Sequence, residues 1–532
     1  MTAMVIDLAD LDLFTDGDPH EAWRVLRRDR PVHWNATGGD TASGVGPSGF
    51  WALTRYQDVH DAYVDAGLFS SRWGTVMGGS HRRDADSASG RMLIASDDPQ
   101  HRLMRQQVHR AFLPALMDRA RRVVRDYVNA ALDRVLKDGG GDFATDVAPE
   151  LPAGLLAAMF GLERRDALHL LALTRSMIGF QDPRYHSDST PPAVLVSSQV
   201  EIFDVMMDLM ETRRRAPSDD LVSILLGASI NGRRFTEDEV LYNCLNVAVG
   251  GNETTPFTAS AAVQAFMDFP DQAQRLLDDG GLLPTAVEEI FRWTSTNAYV
   301  QRVATRDVEL HGQLIRAGDP VTLWNASANR DEEKFPNPDR FDVRRTPNRH
   351  IAFGVGVHRC IGMGAAQMEI ALLLKEIVRR GITFEPAGPA GPPPLQLHAR
   401  SHLSPGPRHG GAGRVVTTPR RHADHLPASG VPDARVFREA MSRLAAAVTI
   451  VTAQDEAGGY WGFTATSVTS ASSCRSVTAH SRFPEGKNHG APSPANSECA
   501  RIPARLSAKY GSGSLLALLS QANEFAVVPA PG

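Results

Sequence analysis

The chain has 532 residues, 42% of them hydrophobic, and a formal net charge of −5. That length and apolar content suit one large domain with an appendage, or two domains, and the mild charge gives no case for nucleic-acid binding. The four cysteines, Cys244, Cys360, Cys474 and Cys499, are far apart, which argues against a disulfide framework, a zinc site or an iron–sulfur cluster and points to a reducing cytoplasm.

Residues 1–17 carry Asp7, Asp10, Asp12 and Asp16 among apolar residues, with neither a basic start nor a long apolar run. The expectation is no signal peptide and no membrane anchor. Apolar spacing predicts helices over 20–28, 100–112, 116–137, 152–159, 194–215, 237–269, 271–279 and 283–293. Strand character falls at 49–54 and 308–323, and a coil rich in Pro, Asn and Arg covers 335–349. A helical run follows from Met363 to Val378. The fold class is mainly α with small β-sheets.

Composition shifts at about Ala387, where Gly, Pro, His and Arg become frequent. Residues 1–400 therefore form the expected main domain, 401–431 a disordered linker and 432–532 a poorly defined C-terminal extension. Within the extension, pattern returns as a helix at 437–446, a strand at 448–453, a turn at 455–459 and a strand at 460–468.

One segment stands out: Phe353-Gly354-Val355-Gly356-Val357-His358-Arg359-Cys360-Ile361-Gly362. Its glycines allow tight turns and close approach, and Cys360 sits just ahead of a helix, where the dipole and free N–H groups favour an anionic sulfur. Such a loop can present a thiolate beneath a flat cofactor. Cysteine thiolate is the axial ligand that pushes electron density onto haem iron and favours O–O cleavage.

About a hundred residues earlier stands Gly250-Gly251-Asn252-Glu253-Thr254-Thr255-Pro256. Interior glycines weaken a helix, Pro256 cannot donate one turn back, and a threonine hydroxyl can bond a carbonyl one turn earlier. Together they predict a kink or groove in the helix. Glu289-Ile290-Phe291-Arg292 places a carboxylate and a guanidinium on one helix face.

These segments resemble, in order, the motifs of the cytochrome P450 family: F-x-x-G-x-x-x-C-x-G, [AG]-G-x-[DE]-T-[TS] and E-x-x-R. The resemblance covers about residues 5–400 and implies the helix-rich triangular prism of soluble bacterial members, with haem b as cofactor. It implies Cys360 as the iron ligand and Thr254 with Glu253 as the acid–alcohol pair of a proton relay. His101, Arg105, Arg302 and His358 match the positions that clamp the haem propionates. The Arg340 region, residues 335–341, resembles the third partner of the Glu289–Arg292 pair. Where the family usually has a proline after that arginine, this chain has Ser295-Thr296-Asn297, which would give the substrate pocket a more polar lining.

The implied activity is insertion of one oxygen atom from O2 into a small organic substrate, by hydroxylation or epoxidation, in secondary-metabolite biosynthesis. Alternatives are oxidative coupling or desaturation on the same haem, or a non-catalytic haem and ligand-binding protein. The substrate could be tethered to a carrier protein, beneath a roof formed by 73–93 and 177–200. No reductase domain follows, so electrons would come from a ferredoxin and its reductase, docking where Arg345, Arg349 and Arg359 gather. No membrane partner is expected. Residues 436–444, 448–452 and 462–470 resemble the start of an FMN-dependent flavin reductase over about 40 residues. The extension is expected to be a truncated or frameshifted fusion unable to bind FMN alone.

Overall fold

The structure is a computed structural model describing residues 6–10, 12–15, 19–36, 49–75, 88–179, 191–252, 254–386, 396–401, 450–454 and 460–464. The chain divides into two compact units, residues 1–174 with 203–415 and residues 175–202 with 416–532. The first is dominated by helices. The helix Pro114–Lys137 shows why: proline opens it, and Leu116, Ala120, Val124, Val128, Ala131, Leu132 and Val135 form one buried stripe. Each fully buried Leu or Val on that stripe is worth roughly 1.5–3 kcal/mol. It packs against Glu150–Phe160, which is buried along its whole length.

Five short strands make the main sheet, in the order Val32–Ala36, Gly49–Leu53, Pro320–Leu323, Val300–Ala304 and Phe69–Ser70. Only the pairing of Pro320–Leu323 with Gly49–Leu53, in the register Val321 to Trp51, is parallel. Leu53, Val59, Tyr63, Phe69, Val300, Val321, Leu323, Phe335 and Ile351 form a core under this sheet. That core joins the helix Tyr56–Val64 to the coil leading into the cysteine segment. A second sheet joins Ile382–Pro386, Gln396–Ser401 and Gly141–Asp142.

Most expected helices occur with shifted ends. The predicted 283–293 helix is Leu283–Thr294, closed by Ser295 in the left-handed region. The long 237–269 run occurs as Glu237–Asn252 and Thr254–Asp268, with Glu253 outside the described residues. The 100–112 run is helical to Val108 and tightens to a 3₁₀ turn over His109–Phe112. Several elements escaped the periodicity, among them Val32–Ala36, Tyr56–Val64, Arg164–Ile178, Val300–Ala304 and Leu221–Leu226. The first and last are too short for a period to register, and Tyr56–Val64 mixes Asp, His and Gln into its apolar spacing.

In the second unit, Ile450–Gln454 pairs antiparallel with Tyr460–Thr464, matching the two strands expected there. The expected linker over 401–431, save Ser401, and the expected helix over 437–446 lie outside the described residues. Among the described residues, no helix is long and apolar enough to cross a membrane.

Candidate functional site

The cysteine loop rests on the end of the Tyr56–Val64 helix. Gly354 and Gly356 have φ of +63° and +71°, a region that favours glycine. A Cβ on Gly356 would lie 2.7 Å from the Tyr63 carbonyl oxygen, so the two backbones touch. The Cys360 N–H donates to the Phe353 carbonyl at 2.9 Å and closes the loop. Gly362 then starts the helix Met363–Arg380.

The Cys360 side chain is reachable from solvent yet set in a recess of dense protein. Desolvation there raises its thiol above the usual range, while N–H groups of Gly362 and Met363 and the charges of Arg105 and Arg359 pull the other way. A cation at the sulfur would settle that contest in favour of thiolate.

Four further groups converge beside it. His101 and Arg105 lie one turn apart on the helix Gln100–Val108, and Arg302 sits mid-strand opposite Val321. The His101 and His358 rings are 4.0 Å apart between centroids. Arg105 donates to the Arg359 carbonyl at 2.7 Å. Arg302 is 4% exposed, lies over the Tyr63 ring at 5.7 Å and donates to the neighbouring Gln301 carbonyl at 2.7 Å.

Burial first, then the charges of Arg302, His101 and Arg105, push His358 down to about 2. Burial likewise lowers His101, Arg105 and Arg302. Both ring nitrogens of His101 are buried without a hydrogen-bond partner, and Asp98 Oδ1 stands 3.6 Å away, too far to bond. Stranded donors cost free energy, so this recess is rich in donors and short of acceptors. A group carrying two carboxylates and a metal that takes one sulfur ligand fits it. Among the described residues no cluster of three His, Cys, Asp or Glu could hold a metal ion by itself.

On the helix Thr254–Asp268, the Thr254 hydroxyl donates to the Gly250 carbonyl at 3.3 Å, and Thr258 donates to the Thr254 carbonyl at 2.8 Å. Thr255 donates at 3.3 Å to Glu369 Oε2, a carboxyl on the cysteine helix that is 1% exposed. Burial raises that carboxyl well above the usual range, against the bond from Thr255. Glu369 was missed in the sequence. Its signal was an acid in the apolar run Met368 to Leu374.

The Glu289–Arg292 pair is fully buried and bidentate, at 2.8 and 2.9 Å. Arg292 also donates to the carbonyls of Asn329 and Pro338, at 2.9 Å each. The expected third partner, the Arg340 region at 335–341, meets Arg292 through backbone carbonyls, that of Pro338 and that of Arg340, 3.3 Å from Arg292 Nη2. Arg345 adds a second guanidinium, with Nε 3.1 Å from Glu289 Oε2. Arg345 is thereby held inside, 9% exposed, and is not the free docking charge expected of it. Arg349 and Arg359 are exposed.

The Ser295-Thr296-Asn297 segment is internally paired. Ser295 Oγ accepts from Asn329 at 2.9 Å, Thr296 bonds Thr258 at 2.8 Å, and the Asn297 carbonyl accepts from Asn325 at 3.1 Å. Of the expected roof segments, residues 76–87 and 180–190 lie outside the described residues.

Comparison with known proteins accords with this geometry. A sequence model of the cytochrome P450 family matches residues 277–394. The chain is 34% identical to putative cytochrome P450 126 of Mycobacterium tuberculosis, over 70% of this chain and 90% of that protein. It is 35% identical to a methyl-branched lipid omega-hydroxylase of the same organism, over 70% of this chain and 88% of that one. Among solved structures, OxyD, a P450 involved in the biosynthesis of vancomycin-type antibiotics, superposes with a TM-score of 0.65 at 32% identity. The match covers 75% of this chain and 99% of that one. The fold is that of a haem-dependent oxygenase. The chain belongs to the cytochrome P450 family and is a monooxygenase with haem as its cofactor.

Proposed function

We propose that this monooxygenase hydroxylates or epoxidises a small organic substrate in the biosynthesis of a secondary metabolite, in the cytoplasm, with Cys360 as the iron ligand. The observation that carries the site assignment is the convergence of one cysteine with two arginines and two histidines, of which His101 has neither ring nitrogen hydrogen-bonded. The haem, when bound, supplies the reductive activation of dioxygen. Cys360 would hold it from the loop side, while His101, Arg105, Arg302 and His358 neutralise its two propionates and fix its orientation.

Thr254, whose hydroxyl bonds the Gly250 carbonyl, would pass protons on within the site. Glu253, beside it in sequence, would take protons from solvent. Ferredoxin and its reductase would deliver two electrons, approaching over Arg349 and Arg359. The catalytic domain would span residues 1–400. The likeness to OxyD supports secondary metabolism, and a carrier-bound substrate suits that setting. The resemblance of residues 436–470 to the start of a flavin reductase finds no support in the comparisons and carries no role here.

The test is turnover with a surrogate ferredoxin, its reductase and NAD(P)H under labelled dioxygen, against a panel of candidate substrates. One labelled oxygen atom per product molecule supports the reading. Coupled or desaturated products without label would favour the alternative chemistry.

A further inference from the structure

A second carboxylate, next to the buried Glu289, ties down both ends of the cysteine loop. Glu288 Oε2 lies 3.1 Å from His350 Nε2, and Glu288 Oε1 accepts from Gln367 Nε2 at 2.6 Å. His350 precedes the loop and Gln367 follows it on the cysteine helix, so one side chain spans the ten-residue cysteine segment from either side. The imidazole is 4% exposed, and its Nδ1 accepts the Ala352 N–H at 3.3 Å, which leaves the proton on Nε2, aimed at Glu288. His350 is 6.0 Å from the Phe353 ring, which packs 4.6 Å from Phe291. The Phe353 carbonyl in turn receives the Cys360 N–H at 2.9 Å.

Packing alone does not hold the loop here. A cavity of about 480 Å³, lined by Glu288, His350, Phe353, Gly354, Gly356 and Arg359 among others, opens behind it. Beside that cavity, hydrogen bonds add to the packing of Phe353, Val355 and Ile351 in setting the loop's position. His350, through its bond, is the first cause holding the Glu288 carboxyl below its usual range, so Glu288 remains ionised as the shared acceptor. We infer that Glu288, His350 and Gln367 are positioning residues that fix the cysteine loop against the haem face and so keep the sulfur ligated. This rests on the reading of Cys360 as the iron ligand.

The test uses full-length holoenzyme carrying His350→Phe, Gln367→Leu, Glu288→Ala, Glu288→Gln or Glu288→Ala with Gln367→Leu. The readout is the rate at which the red-shifted Soret band of the reduced carbon monoxide complex decays to the short-wavelength form. It is followed at a temperature where far-ultraviolet circular dichroism is unchanged. Loss of one charge-assisted bond should speed decay by about tenfold for His350→Phe and for Gln367→Leu, and by more for Glu288→Ala.

Adding Gln367→Leu to Glu288→Ala should change nothing further, because the shared acceptor is already gone. Glu288→Gln keeps one acceptor oxygen and its volume and should fall between wild type and Glu288→Ala. Decay within twofold of wild type in every variant, or an undiminished effect of Gln367→Leu in the Glu288→Ala background, overturns the inference. A wild-type protein without the red-shifted band would overturn the ligand reading and this inference with it. A normal wild-type band with unchanged variants would remove this inference alone.

Discussion

Gly356→Ala places a methyl group where the structure has no room for one. The residue has φ of +71°, which costs an L side chain about 1–2 kcal/mol. Its Cβ would also stand 2.7 Å from the Tyr63 carbonyl oxygen, which is backbone and cannot swing aside. Relieving that overlap resembles overpacking a core, at roughly 1–3 kcal/mol. The two add to roughly 2–5 kcal/mol. For a domain of about 400 residues unfolding with ~2.1 cal/mol/K per residue, the melting temperature should fall by roughly 2–6 °C.

Because the strain sits four residues before Cys360, part of it should appear as loop displacement. The carbon monoxide complex of the reduced variant should then hold a larger share of the short-wavelength form. Gly364→Ala is the control: it lies in the cysteine helix with nothing within 4 Å of its Cβ and should be neutral or stabilising by about 0.5–1 kcal/mol. Calorimetry and absorption of both variants check this. A Gly356→Ala protein with wild-type melting and spectrum would refute the claim that the loop lies directly on the Tyr56–Val64 helix.

Arg292→Leu leaves the buried Glu289 carboxylate without its bidentate partner and should cost about 3–5 kcal/mol, read as lost holoenzyme yield and a lower denaturant midpoint. Arg340→Ala, which removes only an exposed side chain, should stay within about 0.5 kcal/mol, whereas Arg345→Ala should be clearly destabilising by the same measurement. Arg302→Leu should speed haem transfer to apomyoglobin by about tenfold or more, through loss of a buried charge-assisted donor. Glu369 binds its proton more tightly when folded than unfolded. Its contribution is therefore complete below the unfolded carboxyl range and lost as pH rises toward the folded value. Glu369→Gln, which keeps an acceptor for Thr255, should gain stability over wild type with rising pH by up to about 1.4 kcal/mol per unit, measured by urea unfolding from pH 5 to 8.

The chemistry of the site was more legible than its scaffold. His101 with Arg105, Arg302, and His358 with Cys360 come from three distant stretches that the family resemblance singles out as a set, and the structure brings all five together. Thr254 lies on the expected helix, and Glu253 lies outside the described residues. What sequence could not carry were pairings made at long range through side chains of ordinary type. An arginine in the 335–349 coil looks the same whether it bonds Glu289 or faces water, and so the sequence does not mark Arg345 as the one that turns inward. Glu288 and Gln367 are ordinary surface residues of amphipathic helices until His350 arrives between them. The sheet strand Val32–Ala36 depends on pairing with Gly49–Leu53, a non-local contact that five residues of pattern cannot announce.

The most direct test of the account is the absorption spectrum of the dithionite-reduced protein under carbon monoxide, taken beside Cys360→Ser. A strongly red-shifted Soret band in the wild type, lost in Cys360→Ser while the protein remains folded, is the predicted result. A folded, haem-loaded wild type without that band, or a band that survives in Cys360→Ser, would contradict the assignment of Cys360 as the sulfur that binds iron.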